Sequence, residues 1–171
     1  MFRRMLSGSL AFAALTLSAC QEAGPVAPAT ALSISAAVHP VQLPYKARFT
    51  GTTTFSGSAA CPAYLARMQG TGVATHLGFS TVEFTVCGMP VGGGNHVFTP
   101  GPTMGVATAA NGDELWFTDH HGTLTAGTNE IRVHSTIVGG TGRFANATGE
   151  MDNVGYGVGG WTVEGSGWIR Y

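Results

Sequence analysis

From Tyr45 onward, apolar and polar residues alternate in short runs separated by Gly, Pro and Asn. The clearest run is Asn129 to Val138. There Ile131, Val133, Ser135 and Ile137 fall on one face of an extended chain, and Arg132, His134 and Thr136 on the other. The run 79–87 alternates likewise, with Val82, Phe84 and Val86 opposite Thr81, Glu83 and Thr85. The pattern predicts strands at 45–57, 66–77, 79–87, 103–110, 114–124, 129–138, 147–157 and 161–171. Asn111-Gly112 reads as a two-residue type I′ hairpin, and His76-Leu77-Gly78 and Gly157 to Gly160 as further tight connections. No stretch supports a long amphipathic helix. Hairpin-linked antiparallel strands must hide their edges, and closure into a ring does so completely. The expected fold is therefore all-β, an eight-stranded antiparallel β-barrel over 41–171. A two-sheet sandwich is the alternative.

The segment ahead of the strands has a different logic. Arg3 and Arg4 precede an apolar run from Met5 to Ser18, shorter than the ~20 residues a spanning helix needs. It closes on Leu17-Ser18-Ala19-Cys20, which resembles the lipobox of bacterial lipoproteins. The resemblance implies a signal peptide over 1–19, cleavage before Cys20, and a diacylglyceryl thioether on Cys20. Ordinary secretion and an uncleaved anchor are the alternatives. Residues 20–40 are rich in Ala, Pro and Ser, without useful periodicity, and read as a flexible tether. Such a chain of ~19 residues would hold a domain roughly 25 Å from its anchor. The implied location is the bacterial cell envelope, with the membrane as a partner through lipid at Cys20. Gln21, not aspartate, follows the cysteine, which favours the outer membrane in a Gram-negative host.

Composition narrows the function classes. Charged residues make up 10% of the chain, against about 25% in typical domains. The formal net charge is −1, and Arg3 and Arg4 leave with the signal. With no basic cluster there is no footprint for nucleic acid.

Strand six exits through Val138-Gly139-Gly140-Thr141-Gly142-Arg143-Phe144, continuing Ala145-Asn146-Ala147-Thr148-Gly149. This resembles the signature of the allene oxide cyclase and dirigent barrel superfamily, in which glycines permit an unusual backbone path and the Phe plugs back as an apolar stopper. Gly70 to Gly78 resembles a segment of uncharacterised bacterial secreted proteins of the same barrel type. The resemblance implies the barrel fold. It transfers no active-site residue, because plant members use a carboxylate on the first strand, whereas 45–57 holds Lys46 and Arg48 but no Asp or Glu. Plant members are commonly trimers, which leaves oligomerisation open.

With Cys20 assigned to lipid, Cys61 and Cys87 remain as a natural disulfide pair in an exported domain. Free thiols or a reactive site are the alternatives. A tight turn at Leu77-Gly78 would set Cys87 opposite about Gln69, so the segment around Cys61 must fold back to reach it. Asp119-His120-His121 suggests metal, but strand neighbours point to opposite faces, and His76, His96 and His134 are isolated. Glu83, Glu150, Asp152 and Glu164 fall within strands, and Glu150 and Asp152 share a face opposite Met151. There is no nucleophile elbow, no metalloprotease helix and no phosphate loop; Gly92 to Asn95 lacks a following helix or lysine. Asn146-Ala147-Thr148 matches a glycosylation sequon, irrelevant in a bacterial protein. No catalytic, cofactor-binding or metal residue is assigned. Phe84, Trp116, Phe117, Tyr156, Trp161 and Trp168 either fill the barrel or line a cavity, and filling is the usual outcome at this size. The leading expectation is an envelope barrel that binds a small apolar ligand or a partner. The alternatives are a cyclase- or dirigent-type enzyme steering a hydrophobic intermediate, and a filled interaction module.

Overall fold

Thr, Val and aromatic residues alternating with small ones favour extended chain, and each run takes its sequence neighbour as its partner in space. The computed structural model describes residues 41–171, apart from the side chain of Asp119. The signal over 1–19, Cys20 and the tether over 20–40 lie outside the described residues. The strands are β1 Leu43–Ser56, β2 Tyr64–Ala74, β3 Gly78–Gly92, β4 Asn95–Pro100, β5 Gly105–Ala109, β6 Glu114–Thr125, β7 Glu130–Gly140, β8 Thr148–Tyr156 and β9 Gly160–Arg170. All pairings are antiparallel, and β1 closes the ring on β9. β4 and β5 share one place between β3 and β6: β4 pairs the far half of β3 and β5 the near half. The ring is thus a closed eight-stranded up-and-down barrel, as the alternation predicts.

Three local expectations are corrected. The third strand does not stop at 87. It runs on to Gly92, reverses through Gly92, Gly93 and Gly94, all at positive φ, and returns as β4, a strand absent from the predicted set. Glycine adopts that backbone without penalty, so the glycine run is a hairpin tip. Pro100 and Pro102 then break the shared position into two strands, since proline cannot donate to a ladder. Next, the Asn111-Gly112 connection is not type I′, because Gly112 alone has positive φ; Gly112 N–H donates to the Ala109 carbonyl, and the Asn111 side chain holds Asp113. Finally, the turn at His76 pairs Ala74 with Gly78, which sets Cys87 opposite Leu65 and Gln69 opposite Glu83. Cys61 reaches Cys87 from the β1–β2 loop, and the two form a disulfide with Cα atoms 5.1 Å apart.

The barrel has two unlike ends. The chain enters at Leu43 beside Ile169, at the end where the β2–β3, β5–β6 and β7–β8 connections gather. There Gly142–Phe144 makes a 3-10 turn that drives Phe144 into the core, fully buried, with Leu115, Ile137 and Ile169 around it. Tyr171 meets the Phe144 ring edge-on. Arg143 locks the turn by donating to the His76 carbonyl at 2.6 Å, and Glu114 N–H donates to Thr141 Oγ1 at 2.8 Å. The stopper role expected of Phe144 is what the structure shows. Connections β1–β2, β3–β4, β6–β7 and β8–β9 surround the opposite end, which stays open.

Candidate functional site

Inward-facing positions of β1 run Tyr45, Ala47, Phe49, Thr53 and Phe55 from the closed end to the open one. Small residues among them, with Ala66 on β2 and Ala107 on β5, leave the upper interior unfilled. The result is a cavity of about 440 Å³ reaching the open end. That volume lies in the range of sites for small organic molecules. The expectation that side chains fill the barrel holds for the closed half alone.

The wall is aromatic. Phe84, Phe117 and Trp161 line it, with the Phe84 centroid 6.1 Å from Phe117 and 6.4 Å from Trp161. Trp161 lies against the backbones of Gly51 and Gly70. A Cβ at Gly51 would stand 2.5 Å from its ring and one at Gly70 2.7 Å, so only glycine leaves the indole its bed. Trp116, Tyr156 and Trp168, grouped with these in sequence, face outward: Trp116 donates to Glu114, and Trp168 lies beneath Arg170.

Few polar groups reach the interior. His120, 1% exposed, contacts Ser135 Oγ through Nδ1 at 3.0 Å between the rings of Phe84 and Phe117. A bulge places it there, because the β6–β7 register shifts between Thr118 and His121. Inward residues of β6 are Leu115 and Phe117 before the bulge, and His120 and Leu124 after it. That change of parity was written in the sequence, and it is the signal that finds His120. At the mouth, Tyr64 bonds His96 at 2.8 Å and stacks edge-on with Phe55. Burial pushes the Tyr45 hydroxyl well above the ordinary phenol range. The Trp161 indole N–H is buried without an acceptor.

The strand acids turn outward. Glu83 takes hydrogen bonds from Gln69 and Arg67, in that order of influence, which hold its carboxyl below the usual range. Glu164 faces Arg48, and Asp152 pairs with His134. Glu150 is exposed, while Met151 between them lines the cavity. No carboxylate lines the cavity among the described side chains. His121 points out opposite His134 as His120 points in, and His76 serves the closed end through Pro44 and Tyr171. No three metal-ligating side chains converge among the described residues. Cys61 and Cys87 lie outside this cavity, bonded to each other. Outward positions such as Thr50, Thr71, Thr81 and Glu83 give a polar outer wall, the reverse of a lipid-facing barrel.

The backbone of this closed up-and-down ring is similar to that of solved proteins. The pterocarpan synthase dirigent protein PsPTS1 is similar over 77% of this chain and 96% of its own, with TM-score 0.53 and 12% identity. The pterocarpan synthase dirigent protein GePTS1 is similar over 76% of this chain and 86% of its own, with TM-score 0.49 and 13% identity. The fold is that of a dirigent protein. No family model matches the chain, and no curated protein does. Likeness at this identity is likeness of backbone and specifies no ligand or activity.

Proposed function

We propose that this chain is a lipid-anchored barrel of the bacterial cell envelope that binds a small apolar guest carrying a hydrogen-bond acceptor. The open cavity of about 440 Å³ carries the reading. Its aromatic wall rewards burial of apolar surface by about 25 cal/mol per Å². Trp161 stands in that wall with its buried Nε1–H lacking a protein acceptor among the described residues, and a small turn of the indole would present it to an acceptor on the guest. Anchoring is supported by Leu17-Ser18-Ala19-Cys20 and the uncharged Ala/Pro-rich segment that follows Glu22. Native mass spectrometry of protein isolated from its own host tests the binding. A small organic adduct, lost on unfolding, is expected; protein free of any adduct, and unable to take up neutral aromatic compounds, contradicts it.

A second reading, guest-steering catalysis, draws on the His120–Ser135 pair buried in the wall and on the dirigent fold. In it, His120 relays a proton to or from a reactive guest held by the aromatic rings. A His120→Phe variant that binds guests as wild type does, yet loses product formation, would support this reading over simple storage.

A further inference from the structure

The two ends of the barrel differ in charge as well as in packing. Connections at the open end read Ser56 to Tyr64, Met89 to Asn95, Thr125 to Glu130 and Tyr156 to Gly160. They hold no Lys, Arg or Asp, and their single acid, Glu130, is paired with Arg132 at 2.5 Å. Phe55 and Val158, which line the mouth, are 51% and 42% exposed, and Met89 and Val91 on the β3–β4 hairpin 42% and 54%. Connections at the closed end hold both Asp113 and Arg143, 3.7 Å apart. Of the exposed apolar residues nearer that end, among them Val41, Val138 and Tyr171, Val73 and Phe79 share a cross-strand row with the Arg48–Glu164 pair. The open rim brings one acid, already paired, to meet hydrocarbon, and the closed end brings an acid and a base from its connections, so desolvation of ions costs less at the mouth.

We propose that the mouth docks on a lipid bilayer, so that the cavity takes its guest from the membrane rather than from water. The chain outside the described residues argues for this occupant. Its lipobox puts a bilayer within reach, and the segment Gln21 to Pro40 extends at most about 70 Å. An eleven-residue strand such as β2 is about 36 Å long, and barrel tilt reduces that to roughly 30 Å of height. The tether therefore reaches past the wall although it joins at the closed end. The proposal rests on the anchoring and apolar-guest reading above.

The test uses the full chain, recovered from membranes and reconstituted into phosphatidylcholine vesicles with or without brominated acyl chains. Tryptophan is introduced at the mouth (Val158→Trp, with Phe55→Trp as a second mouth variant should the first misfold) or at the closed end (Asn111→Trp). The parent signal is subtracted. Bromine is expected to quench the mouth tryptophan at least twofold more than Asn111→Trp. Equal quenching at both ends, stronger quenching at Asn111→Trp, or failure to float with vesicles overturns the proposal. So does a mouth tryptophan shielded from both bromine and aqueous acrylamide with doubled particle mass, which would assign the mouth to a second copy. Uptake of the neutral naphthyl ketone Prodan in vesicle-free solution reports on the cavity alone, so loss of docking and loss of guest binding are read separately.

Discussion

The closed half of the barrel and the open half are built from the same strands, yet one is a core and the other a container. In the closed half, Phe144, Leu115, Ile137 and Ile169 are buried to within 1% and belong to one apolar cluster. In the open half, Ala66, Phe84 and Phe117 border open space, although the two Phe rings also stand side by side. Stability therefore concentrates where the Gly-Gly-Thr-Gly-Arg-Phe turn stoppers the ring, which frees the other end to stay unfilled. The turn is a structural device, and the open cavity lies at the opposite pole.

Substitutions separate the halves. Phe144→Ala should cost about 3–5 kcal/mol in urea unfolding, as for a large residue removed from a packed core. Phe84→Ala, whose ring already faces open space, should cost less than about 2 kcal/mol while changing guest affinity. Equal costs would erase the distinction between core and container. Joint replacement of Cys61 and Cys87 by Ser should lower stability by about 3 kcal/mol, from a bridge spanning 26 residues. Hydrogen exchange should then rise first in the β1–β2 loop, which the bridge ties to β3, and last around Phe144.

Much of this division was legible in the sequence, and the unread part has physical causes. Alternation told which face of each strand points inward, as at Ile131 to Ile137 and Val82 to Val86. Alternation cannot tell whether inward residues meet across the axis, because that distance depends on strand tilt and stagger. For Phe84, Phe117 and Trp161 the sequence therefore leaves both a filled interior and a cavity open, and the closed ring decides for the cavity. β4 was missed because Pro90 and three consecutive glycines look like the end of a strand, and here they tip a hairpin that extends the mouth. Alternation leaves His120 as a doubtful metal ligand or a polar surface residue, because it does not show where the β6 bulge falls and turns the ring inward.

Smaller effects sharpen the account of the container. Trp161→Phe should weaken binding of Prodan, which carries a carbonyl acceptor, by about fivefold, corresponding to about 1 kcal/mol for one hydrogen bond. Binding of a comparable aromatic hydrocarbon should be unchanged, as seen by parallel fluorescence titrations. Tyr45, buried toward the closed end, contributes a pH dependence. Its folded pKa is raised by burial, so its contribution is complete below the unfolded phenol pKa near 10 and is lost as pH rises through the folded value. Wild type should lose stability from about pH 10 upward, and Tyr45→Phe should lose less over the same range.

The central claim, that the open half is an accessible apolar site, is tested most directly by titrating Prodan into wild type and into Ala66→Phe. Ala66 is buried in the cavity wall, opposite Phe55 on β1 and Val86 on β3. Wild type should give a saturable one-to-one blue shift, and Ala66→Phe should abolish it while keeping stability within about 1 kcal/mol, since the new ring occupies empty space. A wild-type protein that never saturates, or a variant that binds as well as wild type, would contradict the account.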